Sequence, residues 1–450
     1  MAKNKKGSTA APNTTKNNGK AATSDYDSIL QSMRLAQSVL QNDVESMQEI
    51  LQEGLPSVVR VLDGSISIEK SLGESFTGGR STPVYHVSCR VVRNGVEKDR
   101  KFIVKLVLMP DNSESNSQKL ALRRESYAVE HRFYHAEYIQ QYFQGNASLT
   151  IPKIFFSDLN GNKPWPAFCI LMNDVSQQFP VHPRFLSLYQ AQCALKWIAT
   201  FHATFWGISI PPNSVWERGA FWTKSHSNNN TSSAGISSAW VGTLRFLEKY
   251  GHAVTSTTKT FGQRLQSAGP TIGAFLSENT GTLKGNAPTV RTLIHGDYKA
   301  ANMFLKQPPS QEDTTEASAT HVAVVDFQFT GAGIGAEDVA YLLYPDARGF
   351  FDADDEESLL KTYHDELISQ LIVQQKGGPS SLSFSQFRRL YELSRLDMTR
   401  HWLAKGWVAS TEGEAKLVAS LVASMDRIDG GSALTSSHEW EDALETFIST

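Results

Sequence analysis

The chain has 450 residues, a formal net charge of −3 and 40% apolar residues. That length exceeds what one hydrophobic core usually serves, so two lobes or two domains are expected. The nearly balanced charge offers no basic surplus for a nucleic-acid partner, and no apolar run approaches the roughly 18 residues of a membrane span.

Residues 1–25 are expected to form a disordered tail, because the first 24 residues contain no acid and almost no large apolar side chain. Their Ser/Thr/Ala-rich composition also resembles an organelle transit peptide, although arginine is missing; the default expectation is a cytoplasmic protein. A helical segment over 26–56 comes next. Ile29, Leu30, Met33, Val39, Leu40, Val44, Met47, Ile50 and Leu51 recur at helical spacing and predict one or two amphipathic helices. Strict heptads are absent, so this face is expected to pack on the body of the chain, leaving a monomer or at most a weak dimer.

Residues 57–110 read as strands: "SVVRVLDGSISIEKSL", "VYHVSCRVV" and "KFIVKLVL" are rich in Val and Ile with partial alternation, and "GESFTGGRSTP" is a turn between the first two. A helical stretch covers about 118–143, and "AFCILMNDV" (167–175) reads as a buried strand ending in a polar turn. Beyond it helices dominate, with "LYQAQCALKWIATFHATFWG" one long helix that is apolar on most faces. Segments 225–238 and 307–320 are low in complexity and read as surface insertions. Cys89, Cys169 and Cys193 lie far apart in apolar settings, as reduced thiols of an intracellular protein do. The pattern predicts an α+β chain with a strand-rich N-lobe (57–175), a mainly helical C-lobe (176–450) and a cleft between them.

"LIHGDYKAANMFL" (293–305) is the only stretch that sets a His, an Asp, a Lys and an Asn close together. His295-x-Asp297-x4-Asn302, followed by the apolar strand "HVAVVDFQF" that delivers Asp326, is the spacing of a kinase catalytic loop and its metal-binding aspartate. Phosphoryl transfer needs charge neutralised and an acceptor oxygen aligned, which explains the residue types. Asp297 can orient the acceptor hydroxyl and take its proton. Asn302 and Asp326 supply hard oxygen ligands for Mg2+, and Lys299 can reach the transferring phosphoryl. A lone His-x-Asp is a weak signal that better suits a structural role or a metal hydrolase; the added Asn302, Asp326 and flanking strands carry the kinase reading.

The nucleotide side is expected upstream. Lys105 sits in the apolar strand "FIVKLV", where a cation needs a partner, and Glu130 is the first candidate, with Glu125 second. Gly78 and Gly79, with Gly73, could cover phosphates with backbone N–H groups, or be an ordinary hairpin turn. Met172 and Asn173, with Asp174, end the buried strand where an interlobe hinge would meet adenine. The acidic run at 351–358 could draw a cationic acceptor, but acids at a helix start serve the dipole equally well. Trp402 and Trp407, read as lying in one helix, are candidates for an aromatic cage, with core packing the plainer role.

These residues resemble the ecdysteroid kinase-like (CHK kinase-like) branch of the aminoglycoside phosphotransferase and choline kinase superfamily. The resemblance runs from about Ser57 to the C-terminal helices and rests on "LIHGDYKAANMFL" and "VVDFQFTGAGIGAEDVAYLL", with support from "IATFHATFWG" and "EHRFYHAEY". It implies a protein-kinase-like bilobal fold, ATP with Mg2+, and a small-molecule hydroxyl acceptor. By position it implies Asp297 as catalytic base, Asn302 and Asp326 as metal ligands, and Lys105 with Glu130 as the nucleotide ion pair. Asn173 departs from the acid that often stands at the hinge. Asp338 is expected to hold the catalytic loop through hydrogen bonds. The activity implied is transfer of the γ-phosphoryl of ATP to a choline/ethanolamine-, steroid- or aminoglycoside-like alcohol; the alternative is a catalytically silent pseudokinase acting as a binding module. A protein kinase ranks last, because no activation segment is readable after Asp326, where the chain is read as running through "FQFTGAGIGAEDVAYLL" straight into a helix.

Overall fold

The computed structural model describes residues 44–70, 84–108, 118–144, 146–159, 167–224, 233–278, 290–307, 318–344, 351–378, 381–432 and 434–449. The N-terminal tail, the helical pattern before Val44, and Gly73, Gly78 and Gly79 lie outside them.

Helix α1 (Val44–Gly54) buries Met47, Ile50 and Leu51, the i, i+3, i+4 set of its sequence pattern. They pack in one core with Val59, Val61, Tyr85, Val87 and Leu171 of the sheet that follows. That sheet is antiparallel. Strands β1 (Val59–Val61), β3 (Val84–Arg93), β4 (Val96–Leu108), β6 (Ala167–Asn173) and β5 (Ile154–Asp158) lie in this order, and β2 (Ser67–Lys70) pairs with the first half of β3. Asn94 and Gly95, both left-handed at φ 52° and 74°, close the β3–β4 hairpin, the turn an Asn-Gly pair favours between apolar runs. Between β4 and β5 run α2 (Gln118–His135) and α3 (Glu137–Phe143), separated at Ala136, whose backbone is extended.

After β6 the chain is mainly helical. Helix α4 (Leu188–Thr204) starts at a capping box formed by Ser187 and Gln190 and buries Trp197, Ile198 and Phe201 at the centre of the largest core. Around it stand α5 (Phe221–Lys224), α6 (Ser233–Lys249), α7 (Ser256–Glu278), α8 (Gly335–Leu343), α9 (Ala353–Val373), α10 (Phe384–Ala404), α11 (Glu412–Asp429) and α12 (Ser437–Ser449). The chain is α+β, a curled antiparallel sheet joined to a helical body.

Two short ribbons position the chemistry. Strand β7 (Arg291–Ile294) pairs with β10 (Gly331–Ile334), and β8 (Met303–Leu305) pairs with β9 (Val322–Val324). Residues 295–302 connect β7 to β8, and residues 325–330 connect β9 to β10. Because the outer strands pair and the inner strands pair, the two connections are held side by side.

Three expectations are corrected here. Residues 233–238 belong to α6 and are not loop, because Ile236, Ala239 and Trp240 bury at helical spacing. The segment after Asp326 does not pass straight into a helix; β10 intervenes, a strand of Gly, Ala and Ile without a propensity signal of its own. Trp402 and Trp407 do not share a helix: α10 ends at Ala404, Gly406 is left-handed, and the Trp407 Nε1 donates to Glu414 at 3.2 Å. All three cysteines are buried and free, and burial pushes the Cys89 thiol up to about 11 and the Cys169 thiol up to about 12, so neither is a ready nucleophile. No helix among the described residues is long and apolar enough to cross a membrane.

Candidate active site

Lys105 emerges from β4 into a space between the sheet and α2, only 4% exposed. Its Nζ stands 2.6 Å from Glu130 Oε2 and 2.7 Å from Asp326 Oδ1. Glu125, the second candidate for this partner, pairs with Arg132 instead. Burial works to lower the Lys105 pKa, but Asp326 and Glu130 together hold it above its usual value. Burial raises the Glu130 carboxyl more than Lys105 lowers it. Asp326 goes the other way: burial works to raise it, and Lys105, helped by Lys299, pulls it below the ordinary carboxylate range.

Asp326 has φ +70°, an uncommon left-handed geometry for a residue with a side chain. The strain is held by its neighbours, a feature that clusters at functional sites. Phe327 stacks on Phe133 of α2 with centroids 4.0 Å apart and planes 10° apart, and it lies 4.7 Å from His295. Phe133 follows Glu130 by three residues on the same helix, so one aromatic contact ties the Asp326 turn to the helix that carries Glu130. Gln328 extends this link, its Oε1 3.5 Å from the Ser126 hydroxyl of α2.

In the facing connection, Lys299 Nζ sits 3.0 Å and 2.9 Å from the two oxygens of Asp297. Asn302 Nδ2 donates to Asp297 O at 2.8 Å and to its Oδ2 at 3.1 Å. Both side-chain hydrogen bonds of Asn302 therefore use its nitrogen, and its carbonyl oxygen is the atom suited to a hard cation. His295 is fully buried; burial lowers its pKa, and it stays neutral. Its Nε2 donates to Val325 O at 3.0 Å, and its Nδ1 accepts from the Asp297 N–H at 3.3 Å. That tautomer follows from the carbonyl, which can only accept. His295 thus spaces Asp297 from the end of β9.

Asp338, at the start of α8, holds the loop as expected. It accepts from the His295 N–H at 2.7 Å and from the Gly296 N–H at 2.8 Å, and its Oδ2 also lies 3.1 Å from His202 Nε2. His202 Nδ1 lies 2.8 Å from the Tyr363 hydroxyl. All three side chains are buried, at 0% exposure for Asp338 and His202 and 1% for Tyr363. Gly296 has φ +80°, and a Cβ there would stand 2.2 Å from Phe329 O, so no other residue fits without moving the loop.

Sequence reasoning did not anticipate His202, Tyr363, Phe327 or Gln328 as site supports, nor the rings beside the loop. Phe221 donates its N–H to Gly296 O at 3.0 Å, and its ring lies 5.9 Å from both Phe329 and Trp402 and 5.7 Å from His401. The Trp402 Nε1 is buried without a hydrogen-bond partner among the described residues. At the hinge, Met172 is buried, and Asn173 donates its N–H to Lys153 O at 3.0 Å while its Oδ1 accepts from Lys153 N at 2.5 Å. The acidic run at 351–358 serves its own helix: Asp352 caps α9 through the N–H groups of Asp354 and Asp355, and Glu356 bonds Tyr391 and Arg395.

A buried lysine–glutamate pair, an aspartate on a strained turn and a His-x-Asp loop with an asparagine, set between a strand-rich and a helical lobe, define a kinase-like phosphotransferase fold. The sequence profile of the ecdysteroid kinase-like family matches residues 81–375, and this chain belongs to that family. Among solved structures the chain is similar to a microcompartment-associated aminopropanol kinase, at 17% identity and a TM-score of 0.39, covering 86% of this chain and 96% of that one. It is also similar to a choline/ethanolamine kinase family protein from Mesorhizobium loti, at 12% identity and a TM-score of 0.36, covering 89% and 99%. A third is an aminoglycoside phosphotransferase from Streptomyces rimosus in complex with ADP and streptomycin, at 14% identity and a TM-score of 0.34, covering 75% and 99%. No curated protein matches the chain.

Proposed function

We propose that this protein transfers the γ-phosphoryl group of ATP to a hydroxyl of a small organic acceptor, with a lobe over 57–175 holding the nucleotide and a lobe over 176–450 holding the acceptor. The observation that carries this reading is Lys105 bridging Glu130 and Asp326 while Asp297 and Asn302 occupy the adjoining connection. The donor set fits magnesium-ATP: hard oxygens on Asp326 and Asn302 for the metal, and a charged, buried ammonium on Lys105 for phosphate oxygens. Bound there, Mg2+ would neutralise phosphate charge. Asp297 orients the acceptor hydroxyl and takes its proton; Lys299, now resting on Asp297, is placed to meet the transferring phosphoryl. Gly78 and Gly79 are assigned to cover the phosphates and Met172 and Asn173 to edge the adenine.

The acceptor is taken to enter beside Asp297, on the side where the Phe221 N–H bonds Gly296 O and the Phe221 ring neighbours Phe329 and Trp402, and the classes proposed are choline/ethanolamine-, steroid- and aminoglycoside-like alcohols. The protein is proposed to work in the cytoplasm as a monomer or weak dimer. Purified protein should consume ATP in the presence of Mg2+ and at least one alcohol of a panel spanning these classes, and mass spectrometry should find the phosphorylated alcohol. Failure to bind magnesium-ATP at all would overturn the reading in favour of a catalytically silent binding module.

A further inference from the structure

Residues 214–221, between α4 and the start of α5, carry none of the chemistry above, yet they bond both connections and the helix that bears Glu130. At one end, Arg132 Nε of α2 donates to Ser214 O at 3.2 Å, and the Tyr138 hydroxyl of α3 donates to Ser214 Oγ at 2.6 Å. The segment then runs beside β10. The Trp216 N–H donates to Thr330 O at 3.0 Å, Trp216 O accepts from the Ala332 N–H at 3.3 Å, and the Gly219 N–H donates to Ala332 O at 2.8 Å. The approach is close: a Cβ on Gly331 would stand 2.6 Å from Gly219 N, and one on Gly219 would stand 2.5 Å from Ile294 Cγ1. Ala220, buried and left-handed at φ +68°, turns the chain so that the Phe221 N–H meets Gly296 O. One side-chain bond completes the set: Trp216 Nε1 donates to Gln328 O at 2.8 Å.

We infer that Trp216 is a positioning residue for Asp326: its indole N–H fixes the turn that holds the Asp326 carboxylate against Lys105. A residue with a side chain adopts the left-handed φ of Asp326 only when its surroundings impose it. Phe327, stacked on Phe133, and the Gln328 side chain, beside Ser126, anchor this turn to α2. The Trp216 indole anchors its backbone to residues 214–221. Gln328 is buried, and a carbonyl in such a place needs a donor. Without the indole, Gln328 O must turn toward another partner, and the backbone from Asp326 to Thr330 is free to relax. The same segment is bonded to Arg132, two residues past Glu130, so it ties Asp326 to the helix that supplies the other partner of Lys105. The effect on Mg2+ rests on the proposed reading of Asp326 as a metal ligand; the effect on the turn rests on the geometry alone.

The test compares Trp216→Phe with Trp240→Phe in the full chain. Trp240 Nε1 also donates to a backbone carbonyl, that of Thr258 at 3.0 Å, but in the helical body. Hydrogen exchange read by mass spectrometry without nucleotide should be about tenfold faster over residues 325–334 in Trp216→Phe, the size expected when a buried carbonyl loses its donor. Trp240→Phe should exchange there as the wild type does, even if it melts earlier. Calorimetric titration with ATP should find Trp216→Phe about tenfold weaker with Mg2+ and within about threefold of wild type without it; a residue that only stabilised the fold would not divide the two affinities. Unchanged exchange over 325–334 in Trp216→Phe, or equal acceleration in both variants, would overturn the inference. Faster exchange with intact magnesium dependence would likewise end the positioning role. Wild-type protein that binds no magnesium-ATP would sink the reading of Asp326 instead, and the exchange comparison would still decide whether Trp216 holds the turn.

Discussion

Lys299 lies across Asp297, its ammonium within 3.0 Å of both carboxylate oxygens. A base capped by a cation is a poor proton acceptor, so in the proposed reaction the pair would have to open as the acceptor hydroxyl arrives, with the γ-phosphoryl the natural destination of the freed ammonium. Lys299→Met should therefore lower kcat by about 10- to 100-fold with little change in nucleotide affinity. Steady-state kinetics decide the point: unchanged or faster turnover would make Lys299 only a brake on Asp297.

Asp297→Asn and Asp326→Asn should fail differently. The first should keep magnesium-ATP binding and lose about 10²-fold or more of transfer, the contribution of a positioned acid–base group. The second should weaken magnesium-dependent nucleotide binding itself. Asparagine tolerates the left-handed φ of Asp326, so the turn survives the change. Calorimetric titration of both variants with ATP, with and without Mg2+, checks this; equal and intact affinity in both would remove Asp326 as a metal ligand.

In the proposed reaction the chain Tyr363–His202–Asp338 would act only through the loop backbone, as positioning residues. Asp338→Asn replaces an acceptor of the His295 and Gly296 N–H groups by an amide with a donor end, so one buried N–H loses its partner, at about 1–3 kcal/mol. Turnover should fall by about tenfold or more while KM for ATP stays near the wild-type value. Tyr363→Phe strands His202 Nδ1 and should show the same pattern more weakly. A rise in KM for ATP with kcat unchanged would contradict a role confined to placing Asp297.

Regulation by phosphorylation of the segment after Asp326 is not expected. Thr330 is the only Ser or Thr from Phe327 to Leu343; it is fully buried and donates to His295 O at 3.3 Å. Gly296, standing where many protein kinases place an arginine, offers no fork for a phosphate. Protein from bacteria, shown by mass spectrometry to be unphosphorylated, should turn over its acceptor fully. Inert material revived by a phosphorylating treatment would refute this.

Acid should weaken the fold through His131. Its pKa falls from 6.5 in the unfolded chain to about 4 in the folded one. Between those values the unfolded chain binds a proton that the folded chain does not, so this contribution to stability is lost as pH falls through 6.5 toward 4. Raised carboxyls such as Glu130 and Glu337 act in the opposite sense, so the measurement is a difference. The Tm gap of wild type over His131→Gln should narrow by about 1–2 °C between pH 7 and pH 5. A gap that widens on acidification would show the sign to be wrong.

What the sequence determined by itself was local. His295, Asp297, Lys299 and Asn302 fall within eight residues of one another, Asp326 ends an apolar run, and Lys105 is a cation inside a strand that must find a partner; these are spacings and burial conflicts that one dimension records. Tertiary structure decided the rest. It selected Glu130 over Glu125, because only one of two acids on the same helix faces β4. It brought His202 to Tyr363 and to Asp338 across 161 and 136 residues, and set Ser157 against His131 and His135. It also made a strand of Gly331–Ile334, which owes that state to its pairing with β7. Contacts of this kind leave no periodicity in the chain, since each partner satisfies its own helix or strand first and meets the other only when the elements pack.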